Sequence, residues 1–213
     1  VLVFRRQAIE ESEQVRFSEY FGPCEIIGRK DILSPYQDQI IYFSTLRYAD
    51  GRFVGGFAGG DTLFANQQLA YEELSGTMKR LLDGLVGVSS AAKADVSRTR
   101  EDRIRSGGTE NKVDDYVCEH PVVRTHPETG RKGLYVNVAH TVGIKGMTNE
   151  ESAPLLDFLF RHQVKPEFTC RFAWTPNAIA FWDNRSAQHN PVNDYHGYRR
   201  VMHRITLKGD RPR

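Results

Sequence analysis

Short apolar runs alternate with polar segments along most of this chain, and their spacing predicts more strands than helices. In the first half, the pattern predicts a buried strand at residues 1–4, an amphipathic helix at 9–20 and a strand at 39–46. Apolar residues at helical spacing then predict one helix at residues 66–82. The stretch at residues 91–115 is polar and charged, and we expect it to be a mobile excursion or a partly helical insertion and not a second domain.

The second half of the chain has mainly β-type alternation. It predicts a hairpin at residues 120–137, with its turn at 127–130, and a helix at 148–162. Thr148 is the expected N-cap of this helix, because Glu151 three residues later completes a capping box. Further short strands are expected at residues 168–174, 178–182 and 199–207. Since the helices fall outside the strand series, we expect a mainly β fold with flanking helices (α+β), an antiparallel sandwich or barrel.

Length and composition indicate a single globular domain over residues 1–213. With 29 basic and 27 acidic residues, the charge does not favour nucleic-acid binding, and no apolar run approaches the roughly 18 residues of a membrane span. Three widely spaced cysteines fit neither a disulfide framework nor a zinc finger, and they suggest reduced thiols in a cytoplasmic protein. Because the chain starts on an expected core strand without a methionine, we expect residues to be missing before Val1.

Candidate chemistry is concentrated near the C-terminus, in the stretch WDNRSAQHNPVNDYHGYRRVMHR at residues 182–204. Period-two alternation in its last strand places Arg200 and Arg204 together, on the face opposite the expected core face. His189 precedes them on a short extended segment. One imidazole and two guanidinium groups suit a small dianion held beside a metal ion, because guanidinium groups bind carboxylates bidentately. On spacing alone, solvated arginines on an edge strand remain the alternative.

Several motifs occur in the order found in one enzyme family. They are GGDTLFANQQLAYEELS (59–75), HPVVRTHPETGRKGLYVN (120–137), ESAPLLDFLF (151–160), KPEFTCRFAWTPNAIAFWDNR (165–185) and RRVMHRITLKGDRP (199–212). Together they resemble the taurine dioxygenase family, which includes aryloxyalkanoate and alkylsulfate dioxygenases. The resemblance implies a double-stranded β-helix, or jelly roll. It also implies an enzyme that uses iron(II), 2-oxoglutarate and O₂ to hydroxylate a small, anionic organic substrate, with succinate and CO₂ as coproducts.

The resemblance implies roles for four residues. His189 matches the distal histidine of the iron-binding facial triad. Thr62 and Arg200 match the residues that bind the far carboxylate of 2-oxoglutarate. Arg204 matches a second arginine, which in the sulfonate-oxidising member contacts the anionic group of the substrate. The family is often dimeric or tetrameric, so a homo-oligomer is expected, with a small molecule and neither nucleic acid nor membrane as its partner.

The chain departs from the family at the first two iron ligands. A non-haem iron(II) oxygenase needs two histidines and one carboxylate, and the family supplies the first two from a Trp-His-x-Asp-like motif upstream of the Gly-Gly-Asp-Thr segment. That motif is absent, and no histidine precedes His120. His126-Pro127-Glu128 is the only His-x-carboxylate sequence, but it is expected in a hairpin turn. His140 and His203 are weaker candidates, and His140 and Tyr135 are either pocket-lining or structural.

Two explanations account for the missing ligands. The protein is either an iron-free jelly-roll pseudo-enzyme that binds an organic acid, or a segment carrying the ligands is missing from this chain near residues 55–60. We expect the second, because in the family that segment includes a strand of the barrel and its deletion would open the core. A metal-dependent hydrolase is a third alternative, although it needs a water-activating base beside the metal, and no such pair is evident.

Overall fold

A computed structural model describes residues 1–5, 7, 11–25, 41–47, 60–90, 117–175, 177–194, 201–207, 209 and 212. For residues 11, 24–25, 41–47, 201–204 and 206 it describes the backbone alone. The expected excursion at 91–115 and the expected missing segment near 55–60 lie outside the described residues. The chain divides into two compact units, Val1–Asn66 with Pro166–Arg211, and Gln67–Lys165 with Pro212–Arg213. The single domain over residues 1–213 stays a prediction.

Strands outnumber helices in the described part of the chain, as the pattern predicted. The strands are β1 (Leu2–Phe4), β2 (Cys24–Glu25), β3 (Ile41–Arg47), β4 (Thr62–Asn66), β5 (Val86–Ser90), β6 (Val117–Pro121), β7 (Val123–Thr125), β8 (Lys132–Leu134), β9 (Thr141–Ile144), β10 (Thr169–Phe172), β11 (Ile179–Asp183), β12 (Ala187–Pro191) and β13 (Val201–Leu207). The helices are α1 (Glu11–Glu19), α2 (Gln67–Glu72), α3 (Gly76–Leu82) and α4 (Asn149–His162), and a 3₁₀ turn spans Pro166–Phe168.

The first unit contains two antiparallel sheets. A five-stranded sheet has the order β1-β11-β3-β13-β2, and a three-stranded sheet has the order β10-β4-β12. The strands predicted at 39–46, 168–174, 178–182 and 199–207 are therefore confirmed as β3, β10, β11 and β13. Both sheets join strands that are far apart in the sequence, and β4 pairs with β10 on one side and with β12 on the other.

An aromatic cluster joins these two sheets face to face. Phe64 of β4 and Phe172 of β10 pack against Ala180 and Trp182 of β11. The rings of Phe64 and Trp182 meet edge to face, with centroids 4.9 Å apart, which is a favoured aromatic geometry. Because alternate residues of a strand share a face, this cluster defines the inner face of each sheet.

Helix α1 covers the outer face of the five-stranded sheet. Phe17 of this helix packs against the buried residues Ile179 and Leu207. The predicted strand at the N-terminus is confirmed as β1, but its predicted burial is wrong, because Leu2 is 56% exposed and Phe4 is 37% exposed. Among the described strands, β1 lies at the edge of the sheet and pairs with β11, so its apolar side chains are incompletely covered.

The second unit contains a three-stranded sheet, β6-β5-β9, and the hairpin β7-β8. Its most deeply buried apolar residues are Ala70, Leu82, Val122, Leu134, Val136, Ile144, Leu156 and Leu159. The predicted hairpin turn is confirmed: the backbone N–H of Gly130 donates to the carbonyl of His126 at 2.9 Å. Gly130 has φ +68°, a conformation that glycine adopts without steric cost.

The predicted single helix at 66–82 is wrong in one respect, since the structure has two helices there. Ser75 has extended backbone angles, and its hydroxyl oxygen accepts the Met78 N–H at 3.1 Å. Ser75 is therefore an N-cap that starts a new helix, α3, after α2 has ended. The apolar spacing continues through the break, so periodicity alone does not reveal it.

Helix α4 begins with the predicted capping box. The Thr148 hydroxyl oxygen accepts the Glu151 N–H at 3.3 Å, and the Glu151 carboxylate accepts the Thr148 N–H at 2.8 Å. The second of these bonds, followed by a bond from the Thr148 hydroxyl, lowers the pKa of Glu151 below its ordinary value. Within the described residues, no helix has the length and apolar character needed to cross a membrane.

Candidate metal and cosubstrate site

Thr62 and His189 lie on the same face of the three-stranded sheet. The pairing of β4 with β12 places Thr62 opposite Pro191, and Phe64 opposite His189. Diagonal neighbours of this kind have Cα atoms about 7–8 Å apart. Because Phe64 is on the inner face with Trp182, Thr62 and His189 also belong to the inner face. The two residues that the sequence assigned to one site are therefore close together in the structure.

The imidazole of His189 lies against aromatic rings of the buried cluster. Its centroid is 5.1 Å from the ring of Trp182 and 6.4 Å from that of Phe64. His189 is itself exposed, whereas Phe64 and Trp182 are 3% and 5% exposed. The buried cluster thus packs against an imidazole that is itself exposed.

The turn between β11 and β12 is held by side-chain hydrogen bonds. The indole N–H of Trp182 donates to Asn184 Oδ1 at 2.8 Å. The guanidinium of Arg185 donates to both carboxylate oxygens of Asp183, and the Nη2–Oδ2 distance is 2.7 Å. This bidentate pair is mostly buried, with side-chain exposures of 13% and 26%. The turn therefore fixes the position of Trp182 relative to the strand that bears His189.

Thr62 receives a hydrogen bond across the unit from Trp174. The indole N–H of Trp174 donates to Thr62 Oγ1 at 2.9 Å. Trp174 lies two residues beyond the end of β10, and its ring packs edge-on against Phe172, with centroids 4.7 Å apart. Thr62 is 4% exposed, so its hydroxyl is a buried group whose geometry is set by this neighbour.

An ion-pair network borders the same end of the sheet. Arg171 Nε donates to Asp61 Oδ2 at 2.6 Å, and Arg171 Nη2 lies 3.6 Å from Asp194 Oδ2. Asp194 in turn accepts the Gly60 N–H, and the Asp61 carbonyl accepts the Val192 N–H at 2.8 Å. The hydrogen bond from Arg171 to Asp61, reinforced by the charge of Asp61, raises the pKa of Arg171 above its ordinary value. The network connects the start of β4 with β10 and with the segment that follows β12.

The sequence of the region that contains this site matches a known family. Residues 40–206 match the family described as taurine catabolism dioxygenase TauD, TfdA family. The chain belongs to this family. The resemblance of its motifs to the taurine dioxygenase family is therefore confirmed.

Two curated relatives are enzymes that act on sulfate esters, according to their names. The chain is 32% identical to an alkylsulfatase of Acinetobacter baylyi, and the match covers 99% of the chain and 73% of that protein. It is 37% identical to an α-ketoglutarate-dependent sulfate ester dioxygenase of Pseudomonas putida, over 73% of the chain and 52% of that protein. The chain thus spans about half to three quarters of the length of these relatives.

Solved structures of TauD/TfdA-type enzymes have the same fold. A taurine dioxygenase from Burkholderia xenovorans is 30% identical and superposes with a TM-score of 0.75, over 99% of this chain and 76% of that one. Such neighbours are jelly rolls, so the predicted jelly-roll fold is confirmed. In this protein, the two facing sheets of the first unit form part of the jelly roll.

The structure describes only the backbone of one of the two arginines that the motifs assigned to anionic ligands. Arg200 lies outside the described residues. Arg204 is in β13, where its backbone pairs with Ser44, and Ser44 pairs with Ala180 of β11. The roles of Arg200 and Arg204, like those of Thr62 and His189, stay predictions.

The alternative histidine ligands have other surroundings. His126 is 5% exposed, and its Nδ1 accepts the backbone N–H groups of Glu128 and Thr129 at 3.2 Å each. It therefore stabilises the hairpin turn, as expected. His140 is exposed, and Tyr135 packs edge-on against His120. A pocket role for His140 and Tyr135 stays a prediction, and the side chain of His203 is outside the described part.

The described residues do not complete a metal site by themselves. Among them, no group of three histidine, cysteine, aspartate or glutamate side chains is placed to hold a metal ion. An iron(II) oxygenase requires three ligands, and His189, if it is one of them, leaves two to be supplied from elsewhere. Thr62 fits a cosubstrate, because its hydroxyl group can form a hydrogen bond with a carboxylate. Trp174, Asp61 and Arg171 were not singled out from the sequence, since no local pattern links residues more than a hundred positions apart.

Proposed function

We propose that this protein is an iron(II)- and 2-oxoglutarate-dependent dioxygenase that hydroxylates a small, anionic organic molecule and forms succinate and CO₂. The observation that carries the proposal is the placement of Thr62 and His189, on one face of one sheet and diagonal to each other. One short dicarboxylic acid could thus bind a metal ion at His189 with one end and hydrogen-bond to Thr62 with the carboxylate at its other end.

In this proposal, His189, Thr62 and Arg200 each have one task. His189 provides an imidazole for the metal, and the aromatic rings beside it limit how far that imidazole can turn. Thr62 donates a hydrogen bond to the far carboxylate of 2-oxoglutarate, and Arg200 neutralises the charge of that carboxylate. Iron(II), when bound, supplies the redox chemistry with O₂, and the protein supplies binding and orientation.

The two remaining iron ligands are assigned to a segment that this chain lacks. The alignment with the Acinetobacter baylyi relative is 236 positions long, whereas the chain has 213 residues. The relative therefore has residues with no counterpart here. An alignment longer than the chain is what a missing segment would produce, and we propose that this segment lies near residues 55–60, carries the two ligands and is present in the full-length protein.

The substrate class proposed is an organic sulfate ester or sulfonate. The names of the relatives support it, since they act on sulfate esters. Arg204 is the residue proposed to contact the anionic group, because guanidinium forms paired hydrogen bonds with sulfate-like oxygens as it does with phosphate. We further propose a cytoplasmic homo-oligomer, a dimer or tetramer, that interacts with neither nucleic acid nor membrane.

An iron-free pseudo-enzyme that binds an organic acid is the second candidate. It is favoured by one feature of the sequence, in which no histidine precedes His120. In that case Thr62 and the arginines would retain a dicarboxylate, and His189 would act as an ordinary hydrogen-bonding group. The two candidates differ in whether the full-length protein holds a metal.

Metal analysis followed by a substrate panel separates these candidates. The full-length protein is reconstituted with iron(II) without oxygen, desalted and analysed for iron, and about one equivalent is expected. Consumption of 2-oxoglutarate is then measured with an alkyl sulfate, an alkanesulfonate and the neutral alcohol of the same chain length. Stimulation by the sulfate or sulfonate and not by the alcohol supports the proposal. Iron-free protein that still binds 2-oxoglutarate would instead establish the pseudo-enzyme.

A further inference from the structure

The hydroxyl group of Thr62 is buried and has an unusual hydrogen-bonding arrangement. Its oxygen accepts the indole N–H of Trp174 at 2.9 Å. An indole N–H is a donor only, so the Thr62 hydrogen is not used in this bond. Among the described residues, the bond from Trp174 is the one side-chain hydrogen bond that the structure shows for this hydroxyl. A buried polar group without an acceptor is costly, and a ligand oxygen at this point would remove the cost.

We propose that Trp174 is a positioning residue, which fixes the direction of the Thr62 hydroxyl hydrogen so that it points at a carboxylate oxygen of the cosubstrate. The inference rests on the proposed function, because it takes the far carboxylate of 2-oxoglutarate as the acceptor. It adds to the cosubstrate site a residue beyond the end of β10, 112 positions away from Thr62 in the sequence.

The indole of Trp174 is itself held in place. Its ring meets Phe172 at an interplanar angle of 75°, and Phe172 is 7% exposed within the core cluster. The guanidinium of Arg5 lies over the ring of Phe172, 5.3 Å from the ring centroid. Arg5 also donates to the Thr175 hydroxyl, next to Trp174, at 3.2 Å. The donor that orients Thr62 is thus anchored by packing and by a neighbouring hydrogen bond.

A hydroxyl group that is already oriented does not have to reorganise when the ligand binds. A threonine hydroxyl normally rotates and can either donate or accept. With one of its two lone pairs engaged by Trp174, the hydroxyl of Thr62 turns its hydrogen away from the indole, which favours donation of that hydrogen to an ionised carboxylate. Preorganised donors of this kind are worth more than mobile ones.

The first test compares two 2-oxo acids. 2-Oxopentanoate has the same keto-acid end and chain length as 2-oxoglutarate but carries a methyl group in place of the far carboxylate. Trp174→Phe removes the indole N–H and keeps an aromatic ring. We expect this variant to raise the dissociation constant for 2-oxoglutarate about three- to tenfold, the range of one neutral hydrogen bond. The dissociation constant for 2-oxopentanoate is expected to stay unchanged, as measured by calorimetry on the full-length metal-loaded protein.

Thr62→Val provides the matched partner in a double-mutant cycle. It removes the hydroxyl with little change in shape, so adding Trp174→Phe to it should cause no further loss of 2-oxoglutarate affinity. Equal penalties for both 2-oxo acids, or additive effects of the two substitutions, would assign Trp174 a purely structural role and overturn the inference.

The first part of a second readout needs no ligand and no metal. The indole N–H signal of Trp174, assigned by its loss in Trp174→Phe, is expected to move in the ¹H–¹⁵N spectrum of Thr62→Val, and to move again in the wild type on addition of 2-oxoglutarate. A signal that is the same in wild type and Thr62→Val overturns the inference, even if 2-oxoglutarate binds normally. A wild-type protein that binds neither 2-oxo acid overturns the proposed function itself, while the shift in Thr62→Val would still report the hydrogen bond.

Discussion

The indole of Trp182 lies 5.1 Å from the imidazole of His189, measured between ring centroids, and it forms part of the core that joins two sheets. One side chain therefore serves both packing and the candidate metal site. This relationship explains how an exposed histidine can have a defined position, because its neighbour is 5% exposed and hydrogen-bonded to the adjacent turn.

Replacement of Trp182 should therefore destabilise the fold strongly. Trp182→Ala is expected to lower the free energy of unfolding by about 3–5 kcal/mol, the usual cost of removing a large buried aromatic side chain. Urea denaturation of the full-length protein measures this value. Phe158→Ala is the matched control, since Phe158 is 39% exposed and should cost much less. Equal losses for the two variants would mean that Trp182 is not a core residue.

Replacement of His189 should affect metal binding and leave the fold intact. His189→Ala is expected to weaken iron(II) binding by more than the roughly 10–100-fold that loss of a partner outside the ligand set causes. The melting temperature should hardly change, because His189 is exposed. Metal titration measures the affinity, and His140→Ala, which removes another exposed imidazole, should retain it. Unaltered iron affinity in His189→Ala would remove His189 from the ligand set.

The capping box of α4 should make stability depend on pH. Hydrogen bonds from Thr148 lower the folded-state pKa of Glu151, so this contribution is fully present above the ordinary carboxyl pKa. It is lost as the pH falls through the lowered pKa, when the carboxylate becomes protonated. The loss of unfolding free energy between neutral pH and about pH 3 should thus be smaller in Glu151→Gln than in the wild type. The same pH dependence in both proteins would contradict this role.

The ion pair of Asp61 should contribute more to stability than an exposed pair does. Asp61 has a side-chain exposure of 15% and pairs with Arg171, whereas Asp83, which pairs with Lys132, has an exposure of 72%. Exposed pairs contribute little, because solvent screens them. Asp61→Asn should therefore lower the melting temperature, and Asp83→Asn should leave it almost unchanged. Calorimetric melting temperatures that move equally would show that the network at the start of β4 has no special role.

Patterns along the sequence predicted the fold because most strands and the capping box are specified locally. Alternation identified β3, β10, β11 and β13, and the spacing of Thr148 and Glu151 identified the start of α4. The exposure of β1 was not predictable in this way, because an apolar strand has the same pattern at the edge and in the centre of a sheet. The break between α2 and α3 depends on one hydrogen bond at Ser75, which the apolar spacing does not contain.

The candidate site was predictable where motifs carry it. Thr62 and His189 come from segments that resemble the family, and the register of β4 and β12 brings them together. Trp174 and Arg171 were missed because each acts through a contact with a residue more than a hundred positions away. In an apolar strand segment, a tryptophan is typical of the core, and only the geometry reveals that its N–H reaches Thr62.

Succinate formation by the full-length, iron(II)-loaded protein tests the central claim most directly. With 2-oxoglutarate, O₂ and an alkyl sulfate or alkanesulfonate, we expect succinate in proportion to the 2-oxoglutarate consumed. We expect Thr62→Val to raise the KM for 2-oxoglutarate with little change in kcat, and His189→Ala to abolish succinate formation. Succinate that is equally abundant with wild type, His189→Ala and metal-free protein, or absent from all three with every anionic substrate tried, would contradict the account.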